Sequence, residues 1–447
     1  MHRVTQHLRP EPEDPMRRAA LALCLAIAGL PALAASPAPC PTGLPEGVTC
    51  HRAQDANGAH VLIARPAQAH GGLVVHTYGG PRLAPIRPDT TDEDIRRFSE
   101  FLAEGWSWVS TSRRRPGFGV AMGAEDTENA RRLYVEAFGQ PRVTIAHGQS
   151  WGANVTAALI ERHNAPGPDG RRPYDAALLT SGVLAGGTRA YDMRVDLRAA
   201  FQAICGTHPR PEEAQYTLTL GLPPGASMTR AEVLSRLTDC TGIGAPTRTE
   251  AQARAAADLV AATGIPEAAM PGHFAWATFT FRDIAQNLTG GRNAFGNAGV
   301  RYRGTSDDEG LNARITRITP DPEAAALLAA DADLTGRFDI PVLTLHGIRD
   351  AVAYVEHQSA FAATVEAAGN SARLVQVFVN EAAHSKMSSP LYPAALAALA
   401  EWAGGGARPD AAAVQARCEA LSARFTGPCR IDPEFRPAPW DSRVNPR

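Results

Sequence analysis

Lysine is almost absent from this 447-residue chain: Lys386 stands alone, while lysine and arginine together number 44. The 46 acidic residues leave a formal net charge of −2, which gives no electrostatic case for nucleic acid or an anionic membrane as the partner. No C-x-x-C pair and no histidine cluster has zinc-ligand spacing, so neither a metal nor another cofactor is expected. The hydrophobic content of 44% predicts an ordinary globular protein.

Long hydrophobic runs are also missing near the amino terminus. The apolar stretch of residues 19–30 is too short to span a bilayer core of about 30 Å. It follows two arginines at positions 17 and 18 and precedes the small-x-small sequence of residues 32–34, which is the order of a secretory signal peptide. The sequence therefore predicts a signal peptide over residues 1–35, with translation starting at Met16. The mature protein is expected to be periplasmic or secreted, without a membrane span.

The cysteine content agrees with export. Of seven cysteines, Cys24 lies in the predicted signal peptide, and the remaining even number favours disulfides in an oxidising compartment. Six cysteines allow several connectivities, and pairing of sequence neighbours closes the shortest loops. The predicted pairs are Cys40 with Cys50, Cys205 with Cys240, and Cys418 with Cys429.

Strand-like apolar runs alternate with stretches of helical spacing between residues 60 and 185, and again after residue 336. This alternation predicts an α/β fold with a mostly parallel sheet flanked by helices. The predicted strands are residues 60–65, 72–76, 106–110, 143–146, 176–180, 341–345 and 374–379. The predicted helices are residues 92–104, 128–138, 153–163 and 393–403.

The alternation is interrupted over residues 186–335, where proline and glycine punctuate scattered helical patterns. A segment of that length is too long for a structureless loop, so a large cap domain is predicted, inserted into the sheet domain. The sheet domain would then consist of residues 36–185 and 336–405. Residues 406–447 are predicted to form a tail held by the last cysteine pair.

Gly148-Gln149-Ser150-Trp151-Gly152 matches G-x-S-x-G, the motif that places a serine on a tight turn between a strand and a helix. The motif follows the predicted strand 143–146 and precedes the predicted helix 153–163, as the turn requires. The two glycines of the motif, Gly148 and Gly152, accommodate the strained backbone of the serine. Ser150 is therefore the candidate nucleophile, and a glycine-rich turn without catalytic function is the alternative.

A serine nucleophile needs a base, and the base needs an orienting carboxylate. Asp350 lies shortly beyond the predicted strand 341–345, and His384 follows the predicted strand 374–379 after a short loop. The order Ser150, Asp350, His384 is the one expected for this kind of turn, and both residues lie past strand ends. Asp339 and Glu381 are the alternative acids.

The serine turn, the two strand ends and a glycine-rich loop after residue 76 together resemble the α/β-hydrolase superfamily of serine hydrolases, over about residues 61–185 and 336–403. In this fold the amide after the nucleophile, that of Trp151, stabilises the oxyanion. Thr77-Tyr78-Gly79-Gly80-Pro81 is similar to a segment of prolyl-oligopeptidase-type peptidases whose tyrosine hydroxyl helps form the oxyanion hole. The resemblance implies Tyr78 as the second donor, through its hydroxyl or its backbone amide.

Signals for the substrate are weak. Arg113, Arg114 and Arg115 follow a strand at the active-site edge and could bind a substrate carboxylate, although a solvated basic loop is the alternative. In the predicted cap, Trp276 and Phe279 belong to an aromatic cluster that could line the pocket or pack in a core.

These features predict an exported serine hydrolase that cleaves carboxylic esters of small or medium substrates through an acyl-enzyme on Ser150. No pair of glutamates that would grip a peptide amino terminus is recognisable, but a peptidase or amidase acting on short peptide-like substrates remains an alternative. A third alternative is a catalytically inactive member of the fold that serves as a binding module.

Overall fold

The computed structural model describes residues 33–206, 221–222 and 225–447. Residues 1–32 of the predicted signal peptide therefore lie outside the described residues. Within the described residues, nine strands form one sheet in the order β1-β2-β3-β5-β4-β6-β7-β8-β9. The strands are β1 (Leu33–Ala38), β2 (Thr49–Gln54), β3 (His60–Arg65), β4 (Gly72–Thr77), β5 (Ser107–Thr111), β6 (Val143–Gln149), β7 (Ala176–Thr180), β8 (Val342–Gly347) and β9 (Leu374–Val379).

The sheet is antiparallel at one end and parallel over the rest. β1, β2, β3 and β5 pair in antiparallel fashion, whereas β5, β4, β6, β7, β8 and β9 pair in parallel. Parallel strands need crossover connections, and here helices supply them on both faces. The predicted fold class, a mostly parallel α/β-hydrolase sheet flanked by helices, is confirmed by this topology.

Helices occupy a large part of the remaining described chain. They are α1 (Asp92–Arg97), α2 (Glu100–Ala103), α3 (Val120–Phe138), α4 (Trp151–Arg162), α5 (Gly186–Arg189), α6 (Asp192–Cys205), α7 (Arg230–Thr241), α8 (Glu250–Thr263), α9 (Met270–Asn287), α10 (Asp308–Arg314), α11 (Pro322–Ala332), α12 (His357–Ala367), α13 (Leu391–Ala403), α14 (Ala411–Leu421) and α15 (Trp440–Arg443). Short 3-10 turns occur at Glu267–Ala269 and Ser371–Arg373.

Two hydrophobic layers cover the two faces of the sheet. Successive strand residues point to opposite faces, so Leu73 and Val75 of β4 pack into one layer and Val74 into the other. The first layer includes side chains of α3 and α4, and the second includes those of α1, α2, α13 and α14. The central strands are buried on both faces, as parallel strands usually are.

The chain between β7 and β8 contains α5 to α11 and, within its described residues, no strand. This is the segment predicted as a cap, and residues 186–335 are called the insert below. Helices α6 to α10 contribute to a third hydrophobic cluster, which Tyr354, Trp440 and Val444 complete. The carboxy-terminal residues therefore pack against the insert, with Trp440 only 4% exposed.

The six described cysteines form the three predicted pairs: Cys40–Cys50, Cys205–Cys240 and Cys418–Cys429. The third pair fastens α14, whose Cys418 and Val414 are buried against the sheet domain. Across the parts of the chain that the structure describes, no helix combines the length and the apolar character needed to cross a membrane.

Candidate active site

Three catalytic candidates lie at one edge of the sheet because they follow parallel strands. Ser150 comes directly after β6, Asp350 lies three residues after β8, and His384 lies five residues after β9. The strand order reverses between β4 and β6, and such a switch point opens a crevice at the carboxyl ends of the strands. The glycine-rich loop after β4 borders the same crevice.

Ser150 occupies a strained turn between β6 and α4. Its φ of 59° lies in the region that glycine favours, and the strain is typical of a nucleophile held on a tight turn. The flanking glycines have no room for side chains: a Cβ on Gly148 would lie 2.3 Å from the Gly152 carbonyl oxygen, and a Cβ on Gly152 would lie 2.3 Å from that of Thr77. The motif is therefore required by close backbone approach.

The structure brings Ser150, His384 and Asp350 together in a hydrogen-bonded chain. His384 Nε2 lies 2.8 Å from Ser150 Oγ, and His384 Nδ1 lies 2.7 Å from Asp350 Oδ2. The other carboxylate oxygen of Asp350 accepts hydrogen bonds from the amides of Val352 at 2.8 Å and Ala353 at 3.1 Å. Burial raises the pKa of Asp350, but the hydrogen bond and charge of His384 outweigh it and hold this pKa below its ordinary value. The carboxylate is therefore ionised at neutral pH.

The His384 loop is fastened on two sides. Lys386 donates to the carboxylate of Glu100 at 2.6 and 2.7 Å, which ties the loop to α2. The side-chain amide of Gln149, next to Ser150, donates to the His384 carbonyl at 3.1 Å. The only lysine of the sequence thus positions the loop that carries His384.

The alternative acids lie elsewhere. Asp339 precedes β8, at the opposite edge of the sheet, and pairs with Arg172. Glu381 accepts a hydrogen bond from the hydroxyl of Ser388 at 2.5 Å and makes no contact with His384. Of the three acids considered, Asp350 alone contacts the imidazole.

The Tyr78 hydroxyl, predicted as an oxyanion donor, is used elsewhere in the structure. The hydroxyl donates to the Ser112 carbonyl at 2.8 Å, and the side chain is 2% exposed and does not line the catalytic cavity. This contact contradicts the hydroxyl form of the Tyr78 prediction, because the hydroxyl proton is donated to the Ser112 carbonyl. Instead, Gly79 and Gly80 line the cavity with Trp151, and a Cβ on Gly79 would lie 3.2 Å from Ser150 Cβ.

The three consecutive arginines do not line the cavity either, which corrects the prediction that they bind substrate. Arg113 is 1% exposed and donates to the carbonyls of Tyr78 at 2.7 Å and Gly80 at 3.2 Å. Arg114 pairs with Glu125 and Asp126. Arg115 donates to backbone carbonyls of its own loop. Each guanidinium is used by the protein itself.

A cavity of about 290 Å³ opens onto Ser150 and His384. Trp276 lines it, whereas Phe279 packs against the core of the insert, which is the alternative that the sequence left open. Further lining residues were not predicted from the sequence: Tyr191 and Arg194 of the insert, and Arg82, Arg97, Val183 and Val352. Their chain positions carry no motif, so only the folded structure identifies them.

No sequence family matches the chain, and no curated protein matches it. Among solved structures, it is similar to an esterase from Aspergillus oryzae at 12% identity and a TM-score of 0.45, covering 84% of this chain and 87% of that one. Feruloyl esterase B from the same organism matches at 13% identity and a TM-score of 0.43, over 85% and 87%. An acylaminoacyl peptidase from Pyrococcus horikoshii matches at 9% identity and a TM-score of 0.36, over 78% and 38%. At these scores no activity carries over from them to this chain.

Proposed function

We propose that the protein is an exported serine hydrolase that cleaves carboxylic esters of small or medium substrates through an acyl-enzyme on Ser150. The observation that carries the proposal is the unbroken chain from Ser150 Oγ through His384 to Asp350, with distances of 2.8 and 2.7 Å. The three disulfides support export, because such bonds persist mainly in oxidising compartments.

The acylation step follows from the hydrogen bonds. His384 Nδ1–H donates to the ionised Asp350, which leaves Nε2 as the acceptor for the Ser150 hydroxyl proton. Ser150 Oγ then bonds to the ester carbonyl carbon, and the imidazolium returns the proton to the departing alcohol oxygen. Asp350 stabilises the imidazolium without taking the proton itself.

Deacylation reverses the roles. His384 takes a proton from water, the hydroxide oxygen attacks the acyl carbon, and the proton returns to Ser150 Oγ as the acid leaves. In both steps the oxyanion receives hydrogen bonds from the Trp151 amide and from the amides of the Gly79–Gly80 pair, in place of the Tyr78 hydroxyl. The insert acts as a cap that closes the cavity over the acyl group.

The ester assignment is tested with p-nitrophenyl butyrate and its matched anilide. We expect kcat/KM for the ester to exceed that for the anilide, and both activities to disappear in Ser150→Ala. Preference for the anilide would replace the esterase by an amidase with the same triad. Ester turnover that survives Ser150→Ala would contradict the proposed nucleophile.

A further inference from the structure

Three arginines line the cavity beside Ser150, and their charges are not matched by carboxylates in its lining. Arg82, Arg97 and Arg194 contribute to its wall, and no aspartate or glutamate of the described chain does. Arg82 and Arg97 share the buried carboxylate of Asp94, at 2.6 and 3.4 Å. Arg194 differs from both because it forms no salt bridge within the described residues.

The one hydrogen bond of Arg194 in this part of the chain goes to a neutral group. Its Nε donates to His273 Nδ1 at 3.1 Å, while His273 Nε2 donates to the Ala351 carbonyl at 2.9 Å. Burial, followed by the charge of Arg194, lowers the pKa of His273 to about 3. The imidazole is therefore uncharged at neutral pH and leaves the charge of Arg194 unbalanced.

The two terminal nitrogens of Arg194 have no acceptor among the described residues, although the side chain is only 5% exposed. Burial lowers the pKa of Arg194 to about 10, so the guanidinium stays protonated at neutral pH. Its carbon lies 4.2 Å from the ring centre of Trp276 and 5.3 Å from that of Tyr191. Ring faces attract the cation but do not satisfy N–H donors as an oxygen does, and an unpaired buried charge is unfavourable.

We propose that Arg194 is the anion-binding residue of the cavity and that the substrate is an ester carrying a free carboxylate. With Nε bound to His273, the Nη1 and Nη2 pair remains to bind both carboxylate oxygens, a geometry that arginine favours. His273 is a positioning residue, which holds Arg194 and contacts the carbonyl of the residue after Asp350. This inference rests on the proposed hydrolase function.

Matched substrates test the inference. On the acyl side, p-nitrophenyl monoesters of adipate and longer dicarboxylates are compared with the corresponding carboxamides. On the alcohol side, p-acetoxybenzoate is compared with p-acetoxybenzamide. We expect kcat/KM to be about 10- to 100-fold higher for the carboxylate on one of the two sides, because a hydrogen-bonded charge pair forms. The preferred chain length then reports the spacing between Arg194 and the scissile carbonyl.

Arg194→Met should reduce this carboxylate preference to nearly one, and Arg194→Lys should leave an intermediate preference, because lysine keeps the charge without the planar fork. Arg349→Met is the matched control. Arg349 is exposed on the loop of Asp350 and does not line the cavity, so its removal lowers the local charge without touching the binding residue. The control variant should keep the wild-type preference.

A competition experiment on the wild-type enzyme tests the role of Arg194 without any variant that could fail to fold. Adipate should slow labelling by a neutral fluorophosphonate, whereas adipamide should not. Equal kcat/KM for carboxylates and carboxamides on both sides, with turnover intact, would overturn the role of Arg194 and leave the proposed hydrolase standing. Absence of turnover and of labelling with every reagent would instead overturn the proposed function.

Discussion

Two buried arginines lie beside the active site, one in the sheet domain and one in the insert. Burial lowers the pKa of each to about 10. Arg113, after β5, uses both terminal nitrogens on the carbonyls of Tyr78 and Gly80 and lies over the rings of Tyr78 and Trp151, at 3.6 and 4.5 Å. Among the described residues, Arg194 uses only its Nε in a hydrogen bond, and the residue lines the cavity.

The difference separates two functions for the same side chain. Arg113 holds the loop and the aromatic ring on either side of Ser150, so it positions the amides expected to bind the oxyanion. Arg194 has hydrogen-bonding capacity left for a ligand. The sheet-domain wall of the cavity would therefore determine the rate of the chemical step, and the wall contributed by the insert would determine which substrates bind.

Removal of Arg113 is the stronger test of this division. Arg113→Met deprives the carbonyls of Tyr78 and Gly80 of their donors, so the oxyanion loop loses its fixed geometry. We expect kcat for neutral esters to fall by about 10- to 100-fold with little change in KM, as for loss of an interaction made mainly in the transition state. Steady-state kinetics on protein with intact circular dichroism measures it.

The Arg113→Met variant can also contradict the division of roles between Arg113 and Arg194. If Arg113→Met abolished the carboxylate preference and left kcat for neutral esters unchanged, Arg113 would be the residue that binds the substrate carboxylate. Arg113→Lys, which keeps the charge but cannot hold two carbonyls in a fork, should recover only part of kcat.

A smaller effect is expected for Tyr78→Phe. The variant removes the hydrogen bond to Ser112 at 2.8 Å, so the free energy of unfolding should fall by about 1 kcal/mol while kcat stays within about threefold. Tyr174→Phe is the matched control, because its buried hydroxyl donates to Glu128 at 3.0 Å away from the cavity. Urea unfolding and ester kinetics measure both. A tenfold loss of kcat in Tyr78→Phe but not in Tyr174→Phe would indicate that the Tyr78 hydroxyl is an oxyanion donor.

Buried, contiguous apolar strands were predictable from the sequence. The strands predicted over residues 60–65 and 374–379 coincide with β3 and β9, since side chains buried on both faces make their interior positions mainly apolar. The half-buried Gln376 is the polar exception inside β9. The edge strand β1 and its neighbour β2 were not predicted, because their polar, partly exposed residues lack that pattern. The single helix predicted over residues 92–104 is two helices, interrupted between Arg97 and Glu100.

The residues of the candidate site likewise divide into those that could be predicted from the sequence and those that could not. Ser150 stands in a motif whose glycines are required by backbone contacts, and Asp350 and His384 follow recognisable strands, so all three could be proposed from sequence. The arginines could not be assigned. Three adjacent arginines in one loop stand out in the sequence, whereas Arg194 lies in a helix that also carries the buried Arg198. Only the fold distinguishes a guanidinium with partners from one that faces a cavity.

Activation of Ser150 by His384 for acyl transfer can be measured by mass spectrometry after exposure to a fluorophosphonate. We predict one adduct per chain, located on the peptide that contains Ser150. The adduct should be absent from Ser150→Ala and greatly slowed in His384→Ala, because removal of the base leaves an ordinary hydroxyl. An adduct on another residue, or undiminished labelling of Ser150→Ala, would contradict the account.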